Sequence, residues 1–589
     1  MCGILGYAGD KPAAKIIYDG LERLEYRGYD SAGMAVMHRG KIEVVKCVGR
    51  VKKLDTFAQI LEGNLGIGHT RWATHGRPCN ANAHPHTSGG ITLVHNGIIE
   101  NYAELKAQLV AKGEIFLSDT DSEVIAHLVN GFYEGDLLAA VMKCADMLKG
   151  AYALLVMCEG KHEIVAAKYR SPAIVGLGDN CNLCASDEPA LAGLCEKMCV
   201  LEDGDFAVIT AANVKIFDRC GNIIERTVQK VAAEPQKLAL GGFPHYMIKE
   251  LWEAPATVKN TISAFRECEG AIEGAIGGAD RIILTGCGTA YHAALVGKRY
   301  FEELAGVYAE VEYAGELRYN SPVVTENTVL IAVTQSGETA DTVEAARLYS
   351  ALGAKVLAVT NSPHSAVTRI ADVVVPVAAG PEICVAATKS YSGQIAALLL
   401  LALQLAEKGV AEELSAKFEK TPELILKTLD GIDIYATAEM CARSRGVYFL
   451  GRGIDYAVAL EGSLKLKEVS YLPGSGYPAG ELKHGTLALI DRGTMSVFLI
   501  NDPNLAAKSA GAVEQVLSRG GMVSIVTSLP EVREQFSARA EIIELPECDK
   551  YLSPMVSAAA LQYLAYRVAI TLDRDPDKPR NLAKSVTVE

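Results

Sequence analysis

Met1-Cys2-Gly3-Ile4-Leu5-Gly6 opens the chain, and the reading of Cys2 decides what the first third of the molecule must be. A small second residue permits removal of Met1. Cys2 would then carry its thiol and the free α-amine on one residue. An α-amine titrates near about 7.7–8.0, so it can serve as general base for the thiol beside it at working pH. Cys2 also reads as a buried thiol at the start of a strand. The rest of the chain separates these readings.

Outward from Cys2, the 589 residues exceed the length at which single cores stop growing, about 250–300 residues, so at least two domains are expected. Apolar residues make up 49%, enough for large cores, and the net charge of −14 argues against nonspecific nucleic-acid binding. A local basic pocket for a phosphorylated small molecule remains compatible with that charge. The longest apolar run, Ile395 to Leu403, is short of the about 20 residues that span a bilayer. The start of the chain shows neither a basic n-region nor an apolar h-region. Fifteen cysteines without an export signal point to a reducing, cytoplasmic setting.

From Cys2 to about Leu201, short apolar runs alternate with turn residues, as at Ile42-Val45, Ile91-His95, Ala153-Met157 and Ile164-Ala167. Helical patterns cover Ala13-Leu24, Asn101-Lys112 and Asp121-Asn130. This predicts an α+β domain of stacked sheets flanked by helices. Three polar clusters follow apolar segments: Gly68-His69-Thr70-Arg71-Trp72-Ala73-Thr74-His75-Gly76, His95-Asn96-Gly97 and Ser118-Asp119-Thr120-Asp121-Ser122-Glu123. Taken singly, Asn96-Gly97 is a turn signal and the acidic cluster a helix-capping box. Taken together, they suit a thiolate acting on an amide. An Asn side chain and a following Gly N–H supply two oxyanion donors. Arg71 offers a planar cation for an α-carboxylate, and Asp121 a carboxylate for an α-ammonium.

In this order, Cys2-Gly3-Ile4, Arg71-Trp72-Ala73-Thr74-His75-Gly76, Asn96-Gly97 and Thr120-Asp121-Ser122-Glu123 resemble the N-terminal-nucleophile glutamine amidotransferase domain. The resemblance implies that Cys2 forms a γ-glutamyl thioester and that Asn96 and Gly97 bind the oxyanion. It implies that Arg71, Thr74, His75, Gly97 and Asp121 hold glutamine, and that Trp72 gates an ammonia route. Cys181, Cys184, Cys195 and Cys199 have a spacing that also suits a zinc knuckle. Buried thiols among strand residues are the competing reading, and nothing in the resembled family calls for a metal there.

This domain is expected over 2–228, with a linker over 229–242 where Ala-Ala-Glu-Pro-Gln-Lys and Gly-Gly loosen the pattern. An internal repeat follows. Arg281-Ile-Ile-Leu-Thr-Gly286-Cys-Gly288 matches Gly446-Val-Tyr-Phe-Leu-Gly451-Arg-Gly453, Thr328-Val333 matches Thr494-Phe498, and Lys355-Thr360 matches Met522-Thr527. Continuous apolar strands alternating with helices predict two α/β doubly wound sheets, 243–430 and 431–576, with a site at their junction. Ligands sit at the carboxyl ends of such strands. There the first copy has Gly286-Cys287-Gly288-Thr289-Ala290 and Thr334-Gln335-Ser336-Gly337-Glu338-Thr339, hydroxyls and backbone N–H groups suited to phosphate. Helix capping by Ser336 or Thr339 is the alternative use of those hydroxyls. The second copy has Ile500-Asn501-Asp502-Pro503-Asn504 instead, so one phosphate site is expected.

These loops resemble the sugar isomerase (SIS) fold. The resemblance implies that Thr289, Thr334, Gln335, Ser336 and Thr339 hold a sugar phosphate, with Val385-Ala386-Ala387-Thr388-Lys389 a further substrate loop. Ala290 and Ala387 stand where that family commonly has serine, so hydroxyl contacts are lost there. In the second copy, Glu461, Lys465 and Glu468 fall on one helix face, and His484 lies in a Gly-flanked polar turn. A surface ion-pair stripe is the competing reading of that face. The tail 577–589 carries Lys584 amid apolar and hydroxyl residues.

As a whole, the chain resembles amidotransferases that join this N-terminal domain to two SIS units. That resemblance implies transfer of the glutamine amide nitrogen through an internal ammonia channel to fructose 6-phosphate, with isomerisation to glucosamine 6-phosphate. It implies Lys584 as Schiff-base former, Glu468 as the base between C1 and C2 with Lys465 assisting, and His484, from a neighbouring subunit of a homodimer, opening the ring. It implies no metal or organic cofactor, no nucleic acid and no membrane. A sister SIS enzyme on another sugar phosphate and a catalytically silent sugar-phosphate sensor remain the alternatives. Phosphoribosyl-pyrophosphate and ATP-binding loops of other amidotransferases are not found after residue 240.

Overall fold

A computed structural model describes residues 2–231 and 239–587. Met1 and most of the expected linker, residues 232–238, lie outside the described residues. The chain forms two compact units, one made of Met1–Ala239 with Ala583–Glu589, the other of Leu240–Leu582.

In the first unit an eight-stranded sheet carries Gly3–Ala8 between Cys181–Ala185 and Leu65–Arg71, all antiparallel. A seven-stranded antiparallel sheet carries Ile91–Ile99 beside Gly150–Cys158. Alternation along the strands builds the layers, because successive side chains point to opposite faces. Ile4 packs with Val94, Leu155 and Ala166 between the sheets, whereas Leu5 and Tyr7 pack on the Ala13–Leu24 helix outside. Ile91 and Leu93 face outward onto the helices Glu123–Phe132 and Leu137–Ala145. Fully buried Ile4 and Leu5 each contribute about 1.5–3 kcal/mol. The expected stacked sheets with flanking helices are present. The expected linker starts later than residue 229, because Val228–Lys230 adds a strand beside Lys197–Val200.

The same alternation divides the four cysteines. Cys184 and Cys199 point between the sheets, while Cys181 and Cys195 join the outer core. Their spacing therefore cannot gather four thiols about one ion.

The second unit holds both repeat copies. Each is a five-stranded parallel sheet. The first runs in the order Tyr308–Tyr313, Arg281–Gly286, Thr328–Thr334, Lys355–Thr360, Val373–Pro376. The second repeats that order with Gly474–Pro478, Val447–Gly451, Met495–Leu499, Met522–Thr527 and Glu541–Glu544. The topological switch of the first copy lies between Arg281–Gly286 and Thr328–Thr334, the strands whose following loops carry Thr289 and Thr334–Thr339. The Lys389–Leu405 helix is buried nearly all round, which explains its long apolar run. No helix among the described residues is long and apolar enough to cross a membrane.

Candidate active sites

At one end of the first unit's sandwich, Cys2 precedes the central strand of one sheet and Asn96 ends an apolar stretch of the other. The Trp72 N–H donates to Cys2 Sγ at 3.4 Å, and Sγ lies 3.5 Å from the Trp72 carbonyl. Burial pushes the Cys2 thiol up, while the Trp72 amide and the Arg71 guanidinium pull it down; burial prevails. Asn96 Nδ2 donates to the Cys2 carbonyl at 2.9 Å, and Arg27 Nε to the same oxygen at 3.3 Å. The expected oxyanion donor thus spends one amide proton on fixing the Cys2 backbone and keeps one, since the group carries two. Gly97 has φ +142°, and a Cβ there would sit 1.9 Å from the Ala151 carbonyl. Only glycine fits beside Asn96 in this strand pairing.

Arg71 ends its strand and bends the next loop by donating from Nη2 to the carbonyls of His75 and Gly76. Its Nη1 is buried with no partner among the described residues, a donor in want of an acceptor. Asp121 Oδ2 accepts the Ile99 N–H at 2.8 Å, and Ser122 Oγ links Oδ1 to His95 Nδ1. His75 meets Tyr102 edge-on, Trp72 is half-buried and Thr74 is exposed. Arg27, paired with Asp187 at 2.6 Å, and Asp30, which caps Ala73 N–H at 2.8 Å, hold this site yet gave no sequence signal. Their partners are 160 and 43 residues away.

In the second unit, Thr334 Oγ1 accepts the Gly337 N–H at 3.1 Å and Ser336 Oγ the Glu338 N–H at 3.2 Å. Thr334 keeps its own proton to donate, which suits an acceptor-only phosphate. Thr339 sits at the N-cap of Ala340–Ala351 but makes no capping bond with its side chain. Thr289 differs from expectation: its hydroxyl donates to Glu461 Oε1 at 3.1 Å, so what it offers a ligand is lone pairs. The equivalent crevice of the second copy is filled by its own side chains. Asp455 accepts both Asn501 N and Nδ2, and burial pushes its carboxyl up to about 6.

Glu461, Lys465 and Glu468 lie on Ile454–Ser470, and they are no surface stripe. Lys465 is 1% exposed, with Glu468 Oε2 at 2.5 Å and Glu461 Oε1 at 3.5 Å. Burial lowers the Lys465 amine, but the two carboxylates outweigh it and hold it above ordinary lysine. Lys465 is therefore a cation at neutral pH, a donor rather than a base. His292 Nδ1 lies 2.8 Å from Glu461 Oε2, a contact invisible in the sequence at a separation of 169 residues. His484 is exposed on the turn Glu481–His484. The tail divides: Asp577 caps Tyr246 and Met247 N–H within the second unit, whereas Lys584 groups with the first unit, its N–H 3.5 Å from the Tyr26 carbonyl.

Comparison with known proteins agrees with this two-part chemistry. The SIS domain model matches residues 276–404 and 440–572, and a glutamine amidotransferase domain model matches 69–190. Proteins named glutamine–fructose-6-phosphate aminotransferase (isomerizing) from Caldanaerobacter subterraneus and Thermus thermophilus are 42% and 44% identical, each over the full length of both chains. The solved C-terminal domain of glucosamine-fructose-6-phosphate aminotransferase from Francisella tularensis is 32% identical and covers 58% of this chain and 100% of its own, with a TM-score of 0.55. Tagatose-6-phosphate ketose/aldose isomerase from Escherichia coli, 17% identical over 58% of this chain and 96% of its own with a TM-score of 0.52, shares the fold. The chain belongs to the family of isomerising glutamine–fructose-6-phosphate aminotransferases.

Proposed function

We propose that this protein transfers the amide nitrogen of glutamine to fructose 6-phosphate and isomerises the product to glucosamine 6-phosphate, releasing glutamate. The carrying observation is that relatives so named match both halves of the chain without remainder. Cys2 Sγ attacks the glutamine side-chain carbonyl, expels ammonia and leaves a thioester that water cleaves to glutamate. Asn96 and Gly97 stabilise the oxyanion. Arg71, Thr74, His75 and Asp121 hold the amino-acid end, a role supported by the unpartnered Arg71 Nη1.

Ammonia reaches the sugar inside the protein, with Trp72 as gate, because bulk water would protonate it and remove its nucleophilic lone pair. Thr334, Gln335, Ser336 and Thr339 bind the phosphate, with Thr289 beside the sugar. Lys584 forms the Schiff base at C2, and His484 of a second subunit in a homodimer opens the ring; its exposure in the single chain supports that reach. Glu468 moves the proton between C1 and C2, with the Lys465 cation beside it stabilising charge on oxygen. The free thiols support a cytoplasmic location.

The test is a coupled assay with glutamine and fructose 6-phosphate, scoring glutamate and amino-sugar phosphate together. Equal amounts are expected. Glutamate without amino sugar overturns the sugar assignment and turns the search to other ketose phosphates.

A further inference from the structure

The phosphate loops belong to the first SIS copy, and the proton-transfer helix belongs to the second. The distance between phosphate and base therefore depends on what bolts one copy to the other. The Thr289–Glu303 helix, which starts at the Gly286–Gly288 loop, packs on Ile454–Ser470. At their crossing Glu461 is 1% exposed and has three donors around its carboxylate: Thr289 Oγ1 at 3.1 Å, His292 Nδ1 at 2.8 Å and Lys465 Nζ at 3.5 Å. A carboxylate only accepts, so His292 carries its proton on Nδ1. The chain of contacts then runs outward from His292 through Glu461 and Lys465 to Glu468, whose side chain is 20% exposed against 1% for the two before it.

We propose that His292 is a positioning residue that, through Glu461, fixes the Lys465–Glu468 pair of the second copy at a set distance from the phosphate loops of the first. This rests on the sugar-phosphate reading of the site. The Lys465 ammonium is shared by two carboxylates, and Glu461 meets it through Oε1, which also accepts the Thr289 hydroxyl, while Oε2 is held by His292. Without the His292 donor, Oε2 is left an unmet acceptor in a dry interface and the carboxylate, held at one oxygen only, is less firmly fixed. Lys465 and Glu468 then lose their fixed geometry, while the hydroxyls after Thr328–Thr334 do not.

Three variants test this by comparing binding with turnover. His292→Leu keeps size without a donor. His292→Asn puts an N–H where Nδ1 stood, and His292→Gln puts one where Nε2 stood. Fructose 6-phosphate binding by calorimetry is expected to stay within about threefold in all three. Amino-sugar formation in His292→Leu and His292→Gln is expected to fall on the order of 10²-fold in kcat, the cost of misplacing a catalytic group by about 1 Å. His292→Asn is expected to recover most of it. Parental kcat in His292→Leu, or no difference between the Asn and Gln variants, overturns the role. Should His292→Leu lose sugar binding through misfolding, the Asn–Gln contrast carries the test alone. A parent chain that binds no fructose 6-phosphate refutes the sugar-phosphate reading, and the inference falls with it; a parent that turns over and a His292→Leu variant that matches it refute the inference alone.

Discussion

Glu123 is the residue whose replacement should most clearly separate a glutamine-site support from a helix cap. It is 3% exposed and accepts the Leu117 N–H at 2.8 Å, the Ser118 N–H at 2.7 Å and the Ser118 hydroxyl at 2.7 Å, with His127 Nε2 at 3.8 Å. Burial pushes its carboxyl up, but His127, Ser118 and the two amides prevail and hold it at about 2. Against the ordinary 4.5, this favours the ionised folded form by at most about 3 kcal/mol at neutral pH. The folded value lies below the unfolded one, so the stabilisation is complete above about pH 5 and is lost as pH falls toward 2.

In Glu123→Gln the charge is gone, and the new NH2 group faces a donor. Losing one charge-assisted bond costs about 1.5–3 kcal/mol. Opening of the Leu117–Ser122 segment should therefore become easier by about 2–3 kcal/mol, or roughly 30- to 150-fold faster amide exchange at Leu117 and Ser118. Asp121 rides on that segment, so KM for glutamine should rise while amino-sugar binding stays unchanged. Hydrogen-exchange mass spectrometry at pH 7 and glutaminase kinetics read both. Exchange within threefold of the parent, with KM unchanged, would refute the reasoning.

Cys2→Ala is expected to abolish glutamine hydrolysis and leave fructose 6-phosphate binding intact; residual glutaminase activity removes Cys2 as nucleophile. Glu468→Gln should spare glutaminase and lower amino-sugar formation by about 10²–10⁴-fold, the usual worth of a general base, and unimpaired isomerisation assigns the proton transfer elsewhere. Gly337 has φ +68°, and a Cβ there would lie 1.8 Å from Ser365 Oγ. Gly337→Ala, strained by about 1–3 kcal/mol in the loop, should weaken fructose 6-phosphate binding about tenfold or more by calorimetry, and an unchanged Kd argues that the phosphate sits elsewhere.

What the sequence by itself determined is what local period and local order encode. Short apolar runs between turn residues, as at Ile91-His95 and Ile164-Ala167, mark the strands of the first unit. The 165-residue repeat and its continuous apolar strands give two parallel sheets, and the motif order from Cys2 to Glu123 gives the first unit's chemistry. These survive because a strand or helix imposes its own spacing on the side chains it carries. Only the tertiary structure decided how the polar atoms are spent. Asn96 turns an amide proton to the Cys2 carbonyl 94 residues away, and Thr289 gives its hydroxyl to Glu461 across 172 residues. Glu123, read locally as part of a capping box, reaches back to Leu117 and Ser118 instead, and Ser122 makes no capping bond. The two copies' own residues fill one switch-point crevice with Asp455 and Asn501 and leave hydroxyls around the other. A buried donor or acceptor must find a partner, but which partner depends on what the folded chain brings within about 3 Å, and no spacing along the chain records that distance.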